Sequence, residues 1–259
     1  MLPPLPPWPA GPPWTLWPRN ELRGALLWAA LLAGYGNVLN AVAWWGDGSQ
    51  RGDVGLLAPL GLVAVVLAWH WRVDRRGLAE LGLHGQGWRR GAAWGAAAGV
   101  AMAVPPLVYF LLPGPAGAPL RFDEVRGIGP DALFRRLLLW TPVLVASVEE
   151  VAFRGFLQGK LGRALPARPW AALVLSSLAF ALWHVGVTLR TLQQTNVGSA
   201  GFVPVSPALA LAWGVLAVFV AGLVFGTLYQ RTGSLTAPVL AHWLVDALML
   251  LALYQPPPT

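Results

Sequence analysis

The chain has 259 residues, of which 56% are hydrophobic and 11% charged, with a formal net charge of +7 and no cysteine. Soluble domains carry about a quarter of their residues as charges, so this composition, with its mean hydropathy of +0.57, excludes them. It predicts an all-α, polytopic transmembrane bundle of about seven to eight membrane helices. The missing cysteines exclude disulfides, thiol catalysis and cysteine metal sites. The positive charge is no nucleic-acid footprint, because the basic residues stand at the ends of apolar runs, as in positive-inside loops.

Residues 1–18 hold eight prolines and three tryptophans and read as a disordered or interfacial arm. They lack the basic segment and apolar core of a signal peptide. Residues 19–259 read as one membrane-embedded domain. Seven apolar runs follow, at about 23–45, 54–71, 91–112, 137–159, 170–189, 208–230 and 234–254, each long enough to cross ~30 Å of hydrocarbon as a helix. Trp44, Trp45, Trp69, Trp71, Trp88, Trp140 and Trp170 flank them as interfacial belts do. Gly91, Gly95 and Gly99, and again Gly222 and Gly226, recur at the spacing that lets helices approach closely in lipid. With the N-terminus in the cytoplasm, eleven lysines and arginines fall inside and six outside. That bias favours an N-in orientation in the inner (cytoplasmic) membrane. The segment 113–136 reads as a surface helix or an eighth membrane helix, and 191–206 as a lid or a plain connection.

Six strongly polar residues lie inside the apolar runs: Glu149, Glu150, Arg154, His184, His242 and Asp246. An ionisable side chain at mid-depth costs at least ~2.5–3.5 kcal/mol on insertion scales. Glu150 and Arg154 are at i and i+4, so they share a helix face and form a structural ion pair. Glu149 is turned ~100° away, which leaves its carboxylate available. His242 and Asp246 also share a face, one turn after Pro238, which is expected to kink that helix. Phe180 backs His184 at the same spacing. At ~1.5 Å per residue, Glu149, His184, His242 and Asp246 lie roughly 16, 20, 10 and 16 Å from the inner surface. A single buried histidine reads equally well as helix packing. Four such penalties at similar depth read as function.

In chain order these residues spell Glu149-Glu150-x-x-x-Arg154, Phe180-x-x-x-His184 and His242-x-x-x-Asp246. The set resembles the CAAX-protease and bacteriocin-processing (CPBP, or ABI) family of intramembrane glutamic endopeptidases, over a catalytic core of about residues 130–250. Signatures of other intramembrane proteases are missing: no His-Glu-x-x-His, no Gly-x-Gly-Asp and no rhomboid-type serine motif. The resemblance implies that Glu149 activates water, that His184 holds it, and that His242 and Asp246 polarise the scissile carbonyl. It implies a membrane-anchored or lipid-modified protein or peptide as partner, cut near its C-terminus, and no cofactor. The substrate could be a bacteriocin, a C-terminal sorting tail as in the myxosortase branch, or a prenylated protein. One position departs from the family pattern, whose last motif commonly ends in Asn. An aspartate there must be protonated to donate to an oxyanion, or must orient His242, or must bind a metal. Glu149, His184, His242 and Asp246 are an acceptable ligand set for zinc, so the residues alone leave metal dependence open. Two other readings fit the same polar groups. One is a secondary transporter or proton relay, against which stands the lack of an internal repeat. The other is a non-catalytic immunity or scaffold protein.

Overall fold

The structure, a computed structural model, describes residues 18–45, 48–112, 119–123, 125–202 and 206–257. The proline-rich arm, Pro18 apart, and the side chains of Trp44 and Trp45 lie outside the described residues. Helix α1 spans Pro18–Trp45, α2 Gly48–Arg72 and α3 Trp88–Leu111. A composite helix, α4, runs unbroken over 130–164 through the segments Pro130–Arg135, Arg136–Ala146, Ser147–Glu150, Val151–Gln158 and Gly159–Ala164. Then come α5 Pro169–Trp183, α6 Val185–Gln193, α7 Pro207–Thr232 and α8 Thr236–Leu253. Among the described residues the only β pairing is two isolated bridges.

All seven apolar runs are helical. Helices α1, α2, α3, α7 and α8 are each long and apolar enough to cross a bilayer, and α5 with α6 makes a sixth such span when the pair is read through its 41° bend. The run 137–159 lies in α4. Trp69, Trp71, Trp88, Trp140 and Trp170 are exposed, as are leucines and valines on every one of these spans. Lipid takes the place of water as solvent for those faces. The chain is an all-α, multi-pass membrane protein.

The helix considered for 113–136 is not present in the described part of that segment ahead of Pro130. Residues there run as irregular chain, bridged from Phe122 to Thr195 and from Arg126 to Gln255. Asn196 ties this chain to the loop after α6, accepting from the Arg121 N–H at 2.6 Å and donating to the Pro119 carbonyl at 2.9 Å. Leu120, Val197, Ala200 and Phe202 form a small apolar cluster beneath. The described part of 191–206 is therefore a packed connection.

Two devices bring the polar helices together. In the first, α8 lies on the glycine stripe of α3. A Cβ on Gly95 would stand 2.4 Å from the Ala237 carbonyl oxygen, and one on Gly99 2.9 Å from that of Ala241. Only backbone-to-backbone packing fits, and both alanines are fully buried. In the second, Arg136–Ala146 and Val151–Gln158 of α4 are wound as wide π turns, a feature frequent at functional sites. Pro142 has no N–H to give to Leu137, its partner in this winding. The Leu137 carbonyl accepts instead from the indole N–H of Trp243 on α8, at 2.7 Å. Pro238 does not stand mid-helix as expected. It lies in the first turn of α8, where a missing N–H interrupts no ladder.

Gly95→Leu is expected to destabilise the protein by about 1–3 kcal/mol through overpacking, seen as a lower melting temperature in detergent. Gly34→Ala, whose added Cβ meets nothing within 4 Å, should melt like the wild type.

Candidate active site

Helices α4, α5, α7 and α8 converge on one buried cluster. The ion pair expected from spacing forms: Arg154 Nη1 donates to Glu150 Oε1 at 3.1 Å. The two residues are 1% and 0% exposed. The guanidinium lies 4.0 Å from the Phe180 ring centroid and 5.3 Å from that of Phe225. Its Nη2 reaches the Gly222 carbonyl at 3.5 Å, and Gln158 donates to the Gly226 carbonyl at 3.1 Å. The second glycine pair thus opens α7 carbonyls to polar side chains of α4.

The pair has a third member that spacing did not disclose. His242 Nδ1 donates to the same Glu150 Oε1 at 2.8 Å. A carboxylate oxygen accepts, so Nδ1 carries the proton and Nε2 faces the opposite way. Phe225 stacks on this imidazole at 5.0 Å between centroids and 17° between planes. Nothing in the sequence separated Phe225 from an ordinary apolar helix residue. Spacing shows Glu150 only its local partner, Arg154.

His184 is pinned in the same manner from a different source. It stands between α5 and α6 with φ −90° and ψ 3°. Its N–H turns to the Ala181 carbonyl at 3.1 Å, which releases the Phe180 carbonyl that a continuous helix would have used. The His184 Nδ1–H takes up that carbonyl at 2.8 Å, and Phe180 packs on the ring at 4.5 Å between centroids.

Glu149 lies between the two remaining ring nitrogens. Its Oε2 is 3.5 Å from His184 Nε2 and 4.0 Å from His242 Nε2. That oxygen is buried and makes no hydrogen bond within the structure. Asp246 Oδ2 is 3.6 Å from His242 Nε2, so it stands on the Glu149 side of the ring. The orientation of His242 comes from Glu150, at the opposite nitrogen. Side-chain exposure grades across the cluster, from 7% for His242 and 10% for Glu149 to 34% for Asp246. The structure thus brings together all six polar residues drawn from the apolar runs.

The donor types are those zinc accepts. Among the described residues, however, no group of three or more His, Cys, Asp or Glu is arranged to hold a metal ion.

Comparison with known proteins bears on the same stretch. No curated protein and no solved structure gives a significant match. Residues 132–248 match the family described as Rce1-like, "Type II CAAX prenyl endopeptidase Rce1-like". That span contains every residue of the cluster just described, and over it the chain is similar to the CPBP, or CAAX-protease, family of membrane proteases.

Proposed function

We propose that the protein is a glutamate-dependent intramembrane endopeptidase that cuts a membrane-anchored or lipid-modified protein or peptide near its C-terminus. The observation that carries this reading is the position of Glu149 Oε2 between two imidazole nitrogens, each turned inward by a partner on its other side. With Nδ1 committed to the Phe180 carbonyl, a neutral His184 presents a lone pair at Nε2. A water molecule can then donate one proton toward Glu149 and the other toward His184. Glu149 takes its proton as the water oxygen attacks the scissile carbonyl, and returns it to the leaving amine as the C–N bond breaks.

The developing oxyanion needs donors in a dry, preorganised setting. With its Nδ1–H given to Glu150, His242 donates from Nε2 only as an imidazolium. The four charges Glu149, Glu150, Arg154 and His242 then sum to zero, which suits their burial. Asp246, on the same side of His242, serves the oxyanion as a protonated carboxyl. No step requires a metal, and the zinc alternative is separated by the Asp246 experiment below.

Arg72, Arg75, Arg76, Lys160, Arg163 and Arg231 all belong to the end of the bundle where Lys160 pairs with Asp74 at 2.6 Å. This grouping supports an inner-membrane protein with that end, and the N-terminus, in the cytoplasm.

Purified protein in liposomes is expected to cleave a membrane-tethered C-terminal tail. Parallel assays with a prenylated CAAX peptide and a bacteriocin precursor select the substrate class. Glu149→Gln keeps shape and removes the base, so kcat should fall by about 10²–10⁴-fold with the melting temperature retained. Turnover at the wild-type rate would remove Glu149 from the mechanism.

Arg154→Met leaves a buried carboxylate with one partner fewer and is expected to cost about 3–5 kcal/mol of stability. Glu150→Gln should lower both the melting temperature and kcat, the latter on the order of 10²-fold, because the imidazole of His242 loses the group that sets its tautomer. A Glu150→Gln variant that is merely less stable, with full kcat, would sever Glu150 from the chemistry.

Asp246→Asn supplies an amide donor that does not titrate, so it should keep substantial activity and extend it to higher pH. Elemental analysis of the wild type should find no stoichiometric zinc. One zinc per chain, lost together with activity in Asp246→Asn, would overturn the metal-free mechanism.

A further inference from the structure

In an unbroken helix the N–H of Gly186 would bond the carbonyl of Leu182. The bend at His184 opens that rung, and a side chain from another helix fills it. Asn37, on α1, accepts the Gly186 N–H on its Oδ1 at 2.8 Å and donates from its Nδ2 to the Leu182 carbonyl at 2.8 Å. The same Nδ2 donates to the Ala33 carbonyl of its own helix at 2.8 Å. A carboxamide suits this place because it carries a donor and an acceptor side by side. Glycines allow the approach. A Cβ on Gly36 would fall 2.3 Å from the Trp183 ring, and one on Gly186 3.1 Å from Asn37 Oδ1.

A group inserted into the i→i−4 ladder is a recognised cause of a helix kink. Inside a membrane, the two parted backbone groups have no bulk water to turn to. The break that Asn37 completes is the one that frees the Phe180 carbonyl for His184 Nδ1, and so aims Nε2 at Glu149. We propose that Asn37 is a positioning residue for the hydrolysis: it splices the parted ladder and holds His184 in its working orientation. It touches no reacting atom, and it lies outside the family-matched span 132–248. The proposal rests on the role given to His184 above.

The test uses the full chain in detergent and in liposomes. Asn37→Ala should lower kcat by about tenfold or more with KM changed less than about twofold, as misplacement of a catalytic group does. In ¹⁵N-histidine-labelled protein without substrate, it should move the ring resonances of His184 while those of His70 and His242 stay in place. Asn40→Ala removes an amide that donates to the Gly36 carbonyl within α1, and should leave both readouts unchanged. Should Asn37→Ala not fold, Asn37→Asp keeps the acceptor for Gly186 and loses the amide donor, and should move the same resonances with a smaller loss of kcat. Wild-type kcat with an unmoved His184 signal in the folded variant would overturn the proposal, and so would equal shifts of all the histidines. The resonances need no turnover, so a wild type that cleaves nothing defeats the protease reading alone.

Discussion

A charge carried into hydrocarbon must be cancelled within a few ångströms, and the interior of this bundle is built around one such cancellation. Glu150 receives Arg154 from its own helix and His242 from α8 on a single oxygen. Arg154 in turn is enclosed by Phe180 from α5 and by Phe225 and the Gly222 carbonyl from α7. Four helices are thereby fixed around one carboxylate. Leaving any of these groups unpaired costs far more than an exposed salt bridge is worth. The same interaction sets the tautomer of His242, so stability and geometry at Glu149 share a cause.

The backbone obeys a parallel rule. With no water at depth, every peptide group released by a proline, a wide turn or a bend needs a protein partner. Leu137 finds Trp243, Phe180 finds His184, and Leu182 and Gly186 find Asn37. Two of these repairs, by Trp243 and Asn37, are also cross-links between helices, and two of the three lie at or beside His184. Close backbone contact at Gly95 and Gly99 supplies the remaining precision by seating α8 against α3.

Much of this was legible in the sequence because bilayer physics is severe. Apolar length marks the helices, and Glu149, Glu150, Arg154, His184, His242 and Asp246 stand out where charge is costly. What spacing reports is the local partner on one helix. It pairs Glu150 with Arg154 and offers Asp246 as one candidate to orient His242, whereas the orienting contact at Nδ1 comes from Glu150, ninety-two positions away. Asn37 carries no charge, so the cost of ionisable groups in lipid does not mark it, although an asparagine inside an apolar run is itself a signal. Pro238 misled because a proline kinks a helix only beyond its first turn, and the start of α8 at Thr236 could not be fixed that closely.

The compactness of the cluster has an electrical consequence. Successive members are separated by 3.5 to 4.0 Å. A unit charge crossing the whole membrane gains ~2.3 kcal/mol per 100 mV. A proton displaced by ~4 Å within ~30 Å of hydrocarbon therefore senses at most ~0.3 kcal/mol of it. Proton movement in this site is nearly blind to the transmembrane voltage, unlike the long transit a proton-coupled carrier must make. The proposed hydrolysis would run at the same rate in an energised cell and in a de-energised vesicle.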